Sequence, residues 1–248
     1  MFQFFVEKAQ IYETDGIAVI TGPDVNHISH VLRMKPGEKL YVNDGGGQGK
    51  YLCALKSVSA EQVVCDIIQR ITETAELPCD IVLYQGLPKS DKMELIIQKA
   101  VELGASRIVP VEMKRSVVKL DAKKAQAKIS RWQGIAEAAA KQSKRDVIPV
   151  IGEVVSLKEA LKEAADFEVS LMPYENAEGM AYTRNLLESI EPGQRVAIFI
   201  GPEGGFEDSE VEAALSMGTK PVTLGHRILR TETAGLAVLS MLVYVLEA

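Results

Sequence analysis

The sequence predicts an α/β protein made of a small N-terminal β-barrel, residues 1–72, and a larger α/β domain, residues 73–248. Short apolar or alternating runs separated by turn residues fill the first part, which is typical of small barrels. From Pro78 onward, such runs alternate with segments of helical spacing, which favours a sheet flanked by helices. Two later runs, residues 167–172 and 196–200, are apolar almost throughout, as expected for parallel strands buried on both faces.

The N-terminal domain is predicted to contain four strands joined by tight turns and one short helix. The strongest turn signal is residues 43–47, because its three consecutive glycines adopt positive φ without steric cost. A polar stretch ending in proline, residues 72–78, marks the domain boundary. The helix is expected over residues 24–32 with Asp24 or Asn26 as its N-cap. The strands are expected at residues 2–6, 38–42, 50–58 and 62–71.

The C-terminal domain is predicted to alternate strands and helices. Asp91 and Glu94 have the spacing of a capping box, and apolar residues then recur at helical intervals until Gly104 ends the helix. A long helix over residues 122–143 carries much of the basic charge. The final helix, residues 233–246, is apolar almost all round, which predicts burial in the core or at a subunit contact. Further strands are expected at residues 80–84, 107–111 and 221–224.

Composition indicates an ordinary globular protein, with 47% hydrophobic and 25% charged residues. The three cysteines are an odd number without a CxxC pair, so neither a disulfide framework nor a metal site is expected. The first ten residues lack the basic start of a signal peptide, and the longest apolar stretch, residues 235–246, is too short to span a bilayer. A cytoplasmic protein without membrane contact is therefore expected.

The charge distribution is uneven. The net charge of −6 by itself argues against a nucleic-acid partner. Residues 107–145, however, contain eleven Lys or Arg and three acidic residues, which leaves +8 locally and −14 in the remainder. A concentrated basic stretch can form a phosphate-binding face, and it can equally be a solvated helix face.

Three loops follow predicted strands at the edge of the sheet where ligands bind in open α/β folds. They cover residues 172–175, 201–206 and 224–234. The second has three glycines within five residues, which permits close approach of a ligand to the backbone. GxGxxG and GxxxxGK[ST] motifs do not occur, which argues against a dinucleotide enzyme, a P-loop nucleotidase and a Rossmann-type methyltransferase.

The third loop ends in an unusual charge arrangement. Thr231 or Thr233 could cap the last helix, and Glu232 would then be favoured by the helix dipole. The same dipole disfavours Arg230, a cation at the positive end of the helix. Arg230 is therefore predicted to have a functional role.

Three segments carry a family resemblance: KSDKMELIIQKAVELGASRIVP at residues 89–110, IFIGPEGGF at 198–206 and LGHRILRTETA at 224–234. They resemble the knotted SPOUT-class RNA methyltransferases, most of all the branch that methylates N3 of a uridine in 16S ribosomal RNA of the small subunit. HISHVLRMKPGEKL at residues 27–40, with the DGGG turn after it, resembles the PUA-like RNA-binding β-barrel of that branch. The resemblance implies a C-terminal trefoil-knotted α/β domain, S-adenosylmethionine as methyl donor and a homodimer.

The resemblance also suggests roles for individual residues. Methylation at N3 requires removal of a proton and stabilisation of charge on the ring oxygens. Arg230 is the candidate for the charge, and Glu203 or Glu232 for the proton. The cofactor is expected to contact Met172, Pro173, Tyr174, Ile200, Gly201, Glu203, Gly205, Leu224, Gly225, Ile228, Leu229, Thr231 and Ala234.

RNA is expected to contact a set of basic side chains, so the affinity of the protein for RNA should fall steeply with salt. These side chains are Arg33, Lys35, Lys114, Arg115, Lys144 and Arg145. Trp132 could stack on a base, although packing is the more common role for such a residue.

Three alternative functions are left open. They are methylation of another RNA atom such as a ribose 2′-hydroxyl, a non-catalytic RNA-binding assembly factor, and a nucleotide-binding metabolic enzyme.

Overall fold

The computed structural model describes residues 1–247, and the chain divides into two compact units. The first unit contains Met1–Glu76 with Ala140–Ile148, and the second contains Leu77–Ala139 with Pro149–Ala248. The first unit thus ends four residues after the predicted boundary and includes a later segment of the chain. Hydrogen bonds explain why residues 140–148 belong to the first unit, because the Glu76 carboxylate accepts from the backbone N–H groups of Asp146 and Val147.

The first unit contains a six-stranded sheet in the order β1-β4-β5-β6-β3-β2. β1 pairs with β4 in parallel, and the other pairs are antiparallel. Within residues 1–247, β1 and β2 do not pair with each other, so hydrogen bonding does not close a complete barrel. The strands are β1 Gln3–Phe5, β2 Ile11–Tyr12, β3 Ile17–Thr21, β4 Lys39–Asn43, β5 Lys50–Val58 and β6 Gln62–Ile71.

The helix of the first unit begins earlier than its sequence suggests. It comprises α1, Pro23–Asn26, and continues as a π-helical turn over His27–Val31. The prediction of Asp24 or Asn26 as N-cap is wrong, because Gly22 occupies that position at φ 71°. Proline at the first helical position loses no hydrogen bond, since that N–H has no partner within a helix.

The second unit contains a parallel sheet in the order β10-β8-β7-β12-β11-β13, with β9 also paired to β8. The parallel sheet flanked by helices confirms the predicted α/β class. The central strands β7 and β12 run in register from Asp80 opposite Arg195 to Gln85 opposite Ile200, so their carboxyl ends are adjacent. The strands are β7 Asp80–Gly86, β8 Arg107–Glu112, β9 Val150–Ile151, β10 Val155–Ser156, β11 Val169–Pro173, β12 Arg195–Ile200 and β13 Lys220–Val222.

Within residues 1–247, six helices accompany this sheet, and three of them (α4, α5 and α6) were not predicted. The last helix, α7, buries Val238, Leu239 and Leu242, but Tyr244 on another face is 80% exposed. Within residues 1–247, no helix is both long and apolar enough to cross a membrane. The helices are α2 Lys92–Glu102, α3 Ala122–Ser143, α4 Leu157–Ala164, α5 Met180–Glu188, α6 Asp208–Ser216 and α7 Thr231–Leu246.

The N-terminus of α2 and the burial of Trp132 on α3 both bear on sequence-based expectations. Asp91 is the N-cap of α2, but its side chain makes no capping hydrogen bond. The predicted capping box is wrong, because the carboxylate of Glu94 instead pairs with Arg131 of α3. Trp132 on α3 is only 3% exposed, so the packing role weighed for it is confirmed.

Candidate active site

Thr231 joins the carboxyl ends of β7 and β12 to the start of α7. The Nε2 group of Gln85, a fully buried residue in β7, donates to Thr231 Oγ1 at 2.9 Å. The Thr231 hydroxyl in turn donates to the carbonyl oxygen of Gly201 at 2.6 Å. The glycine loop after β12 and the loop before α7 are therefore held together, as the sequence analysis expected for a ligand-binding edge.

The start of α7 differs from the sequence-based expectation. Neither Thr231 nor Thr233 is the N-cap, because the helix begins at Thr231 and Arg230 occupies the capping position. The Arg230 carbonyl oxygen accepts from the backbone N–H groups of Thr233 and Ala234, both at 2.9 Å. The Thr231 side chain is thus free to make the hydrogen bonds that join the three segments.

Glycine is required where β7 passes the loop after β12. A Cβ atom at Gly86 would lie 2.7 Å from both N and Cδ of Pro202. Gly205, in the same loop as Pro202, has φ 68°, a conformation that other residues rarely adopt. These positions account for the close approach of the two segments at the candidate site.

Lys92, in the first turn of α2, lies between the two carboxylates that the sequence nominated for proton transfer. Its Nζ is 3.0 Å from Glu203 Oε1 and 3.3 Å from Glu232 Oε2. The backbone N–H of Lys89 also donates to Glu203 Oε1 at 3.1 Å. All three charged side chains are partly shielded, with exposed fractions of 28% for Lys92, 26% for Glu203 and 19% for Glu232.

The contacts with Lys92 influence the pKa values of all three groups. Burial raises the pKa of Glu203, but hydrogen bonds from Lys92 and from backbone N–H groups outweigh it, and the pKa lies below its usual value. The backbone N–H at the helix start, together with Lys92 and the charge of Arg230, lowers the pKa of Glu232. Glu203 and then Glu232 raise the pKa of Lys92. Near neutral pH, Glu203 and Glu232 are therefore ionised carboxylates, and Lys92 carries a charged ammonium group.

Arg230 is exposed at the entrance to α7. Within residues 1–247, no carboxylate lies at ion-pair distance from its guanidinium group. The cation predicted to act in function is therefore available to a ligand, whereas the carboxylates near it are already engaged by Lys92.

Lys114 and Arg115, predicted to bind RNA, contact the first turn of α6 and the loop after β12, respectively. Arg115 Nη1 donates to the Gly204 carbonyl oxygen at 3.0 Å, and its Nη2 pairs with Glu207 at 3.1 Å. Lys114 Nζ donates to Ser209 at 2.6 Å. Both side chains remain exposed, so these contacts leave part of each cation accessible.

The other predicted cofactor residues lie at the same edge of the sheet. Met172 is buried at the end of β11, and Pro173 and Tyr174 beside it are half-buried. In the third loop, residues 226–229 make no backbone hydrogen bond to any residue of 1–247. The structure thus brings together Met172, Pro173, Tyr174, Ile200, Gly201, Glu203, Gly205, Leu224, Gly225, Ile228, Leu229, Thr231 and Ala234 at or next to the ends of β7, β11, β12 and β13 and the start of α7.

The basic residues predicted in the first unit divide into two kinds. Arg33, Lys35 and Lys144 are exposed. Arg145 is only 3% exposed, and its Nε donates to Glu76 Oε2 at 3.0 Å. Arg145 is therefore removed from the predicted RNA-binding set, because its guanidinium group is enclosed by protein.

Two functional candidates, Gln85 and Lys92, were missed by sequence reasoning. Gln85 is the polar residue near the end of an otherwise apolar strand, which is a signal that could have identified it. Lys92 lies in the segment that carries the family resemblance, but its partners are more than a hundred residues away.

Among residues 1–247, no group of three or more His, Cys, Asp or Glu side chains is arranged to hold a metal ion.

Two family models match this chain. Residues 75–243 match a family described as an RNA methyltransferase domain, and residues 20–68 match an RNA methyltransferase PUA domain. The fold and the site therefore define an RNA methyltransferase of the SPOUT class with an N-terminal PUA domain, and the predicted fold class is confirmed.

Individual relatives show which family of RNA methyltransferases this chain belongs to. Ribosomal RNA small subunit methyltransferase E of Bacillus subtilis is 41% identical over 100% of this chain and 98% of its own length, and that of Mesomycoplasma hyopneumoniae is 33% identical over 97% and 98%. The crystal structure of ribosomal RNA small subunit methyltransferase E from Neisseria gonorrhoeae bound to S-adenosyl methionine is 32% identical, covers 97% of this chain and 96% of that one, and has a TM-score of 0.81. This chain belongs to the ribosomal RNA small subunit methyltransferase E family.

Proposed function

We propose that this chain transfers a methyl group from S-adenosylmethionine to N3 of a uridine in 16S ribosomal RNA of the small subunit. The observation that carries the proposal is the Thr231 junction, which joins the carboxyl ends of β7 and β12 to the start of α7 in an RNA methyltransferase domain. The relative from Neisseria gonorrhoeae, solved with the cofactor, supports the choice of donor.

The chemistry of the loops fits this cofactor. The backbone N–H and C=O groups of residues 226–229 have no partner in the described chain, and the Ile228 side chain is 91% exposed. An adenine ring offers hydrogen-bonding edges and flat apolar faces, which such a loop can bind. We propose that main-chain groups of Ile200, Gly201, Leu224, Ile228 and Leu229 hold the adenosine, and that Met172, Pro173 and Tyr174 line the methionine side.

When bound, the cofactor supplies a methyl group on a positively charged sulfur. The chain must then orient the base and manage its N3 proton. Arg230 is exposed, and within residues 1–247 no carboxylate lies at ion-pair distance from it, so we assign it the stabilisation of negative charge on the ring oxygens. Glu203 or Glu232, kept ionised by their surroundings, accepts the proton directly or through water.

RNA binding uses exposed cations of both units. In the first unit these are Arg33, Lys35 and Lys144, and in the second they are Lys114 and Arg115. Arg33 and Lys144 both have positive φ, at 53° and 62°, which sets each side chain at a sharp change of chain direction. The PUA domain match supports RNA as the partner.

We further propose that the protein works as a homodimer in the cytoplasm and that its second unit forms the trefoil knot implied by the family resemblance. Tyr244 on α7 and Ile228 in the preceding loop are large apolar side chains that are 80% and 91% exposed. A second copy of the chain would cover such side chains, and removing apolar surface from water favours association.

The test uses purified protein, labelled S-adenosylmethionine and undermethylated small ribosomal subunits or free 16S RNA, followed by nucleoside mass spectrometry. We expect labelled 3-methyluridine, and its loss in Arg230→Ala. Arg195→Ala, at the opposite end of β12, is the matched control and should retain activity. Label on a ribose would replace the uridine-N3 proposal by ribose methylation, and no label on either substrate would favour a non-catalytic RNA-binding factor.

A further inference from the structure

We propose that Lys92 is a positioning residue of the methyl-transfer site, whose ammonium group joins Glu203 of the loop after β12 to Glu232 of α7. The proposal deepens the function proposed above and rests on it. Lys92 is not among the residues that the family resemblance suggested for catalysis or cofactor binding.

The geometry identifies one cation shared by two elements. Lys92 Nζ lies 3.0 Å from Glu203 and 3.3 Å from Glu232, and Lys92 belongs to a third element, α2. The Lys89 N–H, just before α2, adds a hydrogen bond to Glu203 at 3.1 Å. The glycine loop after β12 and the first turn of α7 are thereby attached to α2 in one arrangement.

The charges around the two carboxylates make Lys92 hard to replace. Glu203 faces Lys92 and the Lys89 backbone, and Glu232 faces Lys92, its own backbone N–H and the charge of Arg230. Without Lys92, Glu203 would lose the cation that lies 3.0 Å from it, and the two partly shielded carboxylates would repel each other. Their protonation would then become easier, because removing an opposite charge at this distance disfavours the ionised form.

This arrangement separates the role of Lys92 from that of Arg230. Arg230 has no carboxylate at ion-pair distance within residues 1–247 and is free to meet the substrate. Lys92 is occupied by two carboxylates and acts through them. A positioning role should therefore change the pH profile of the reaction and the mobility of the loop.

The experiment compares Lys92→Met and Lys92→Arg with the parent protein and with Lys99→Met as matched control. Lys99 lies on the same helix and pairs with Glu102. Two readouts are used: the pH profile of RNA methylation, and amide hydrogen exchange of Lys89 and Gly205 in ligand-free protein, whose N–H groups bond Glu203 and Pro202.

We expect Lys92→Met to move the acidic limb of the profile upward by about one pH unit, a tenfold loss of rate at low pH. It should also accelerate exchange at Lys89 and Gly205. Lys92→Arg should restore most of both properties, and Lys99→Met should change neither. If Lys92→Met does not fold, Glu203→Leu, which removes the acceptor of the Lys89 N–H, should still accelerate exchange at Lys89.

An unchanged acidic limb together with unchanged exchange in Lys92→Met would overturn the proposal, as would unchanged exchange in Glu203→Leu. Failure of the proposed function has a different signature. Parent protein that does not methylate RNA would overturn that function, whereas the ligand-free exchange data would still decide whether Lys92 holds the loops.

Discussion

The hydroxyl group of Thr231 donates a hydrogen bond to the carbonyl oxygen of Gly201, thirty residues earlier in the chain, at 2.6 Å. The same oxygen atom of Thr231 accepts from Gln85, which is 146 residues away. One hydroxyl group thus joins the ends of two central strands to the start of the last helix. Its position explains why the loop after β12 and the loop before α7, which are separated in sequence, meet at one edge of the sheet.

Thr231→Val should destabilise the protein by about 1–3 kcal/mol, because it leaves the Gly201 carbonyl and the Gln85 amide without their partner in a buried position. Urea unfolding of the purified variant measures the change. Thr231→Ser retains the hydroxyl group and is the control. A loss of stability in Thr231→Ser with none in Thr231→Val would mean that the methyl group, rather than the hydrogen bonds, matters.

Gly86→Ala should cost about 1–3 kcal/mol, since the added Cβ would lie 2.7 Å from the backbone nitrogen of Pro202. It should also weaken binding of S-adenosylhomocysteine, because relief of the contact moves the loop after β12. Gly134→Ala, in α3, is the control and meets no atom within 4 Å. That control should stabilise the protein by about 0.5–1 kcal/mol. Thermal unfolding and calorimetric titration distinguish these outcomes.

Arg145→Met should destabilise the first unit by about 3–5 kcal/mol, because it removes the guanidinium partner of a largely buried ion pair and leaves Glu76 with only its hydrogen bonds from backbone N–H groups. Chemical unfolding measures the loss. A double variant with Glu76→Gln should recover part of it. If Arg145→Met instead left stability intact and weakened RNA binding, the original assignment of Arg145 to RNA would be restored.

Lys144→Ala should weaken RNA binding and reduce the dependence of log affinity on log salt by about one unit of slope, as expected for loss of one phosphate contact. Filter binding of 16S RNA fragments over a series of salt concentrations gives the slope. Lys56→Ala, an exposed lysine that pairs with Asp66, is the control. Identical slopes in both variants and in the parent would remove Lys144 from the RNA face.

Glu232→Gln should make stability less sensitive to acid. The pKa of Glu232 is lowered in the folded protein by its own backbone N–H, Lys92 and Arg230. A carboxylate with a lowered folded pKa contributes stability above its unfolded pKa and loses that contribution as pH falls through the folded value. Urea unfolding at pH 7 and at about pH 4, near the ordinary glutamate pKa, should show a smaller difference for the variant than for the parent. A larger difference would contradict the sign of the shift.

Local sequence patterns predicted many elements closely. β5, β6 and α3 have the predicted bounds, because alternation, helical spacing and glycine turns act over neighbouring residues. Other local signals were overlooked. Ser156 and Glu159 form a capping box at the start of α4, and β3 alternates in burial, yet neither element was predicted.

The sequence by itself determined the two-part organisation, the parallel character of the second sheet and the loops at its edge, since these follow from local patterns and recognisable motifs. Only the tertiary structure decided that Lys92 lies between Glu203 and Glu232 and that Arg145 is enclosed with Glu76. The physical reason is that a charged side chain has the same local signature whether it faces solvent, RNA or a distant carboxylate. Its partner is selected by how the strands and helices pack, which residue spacing along the chain does not encode.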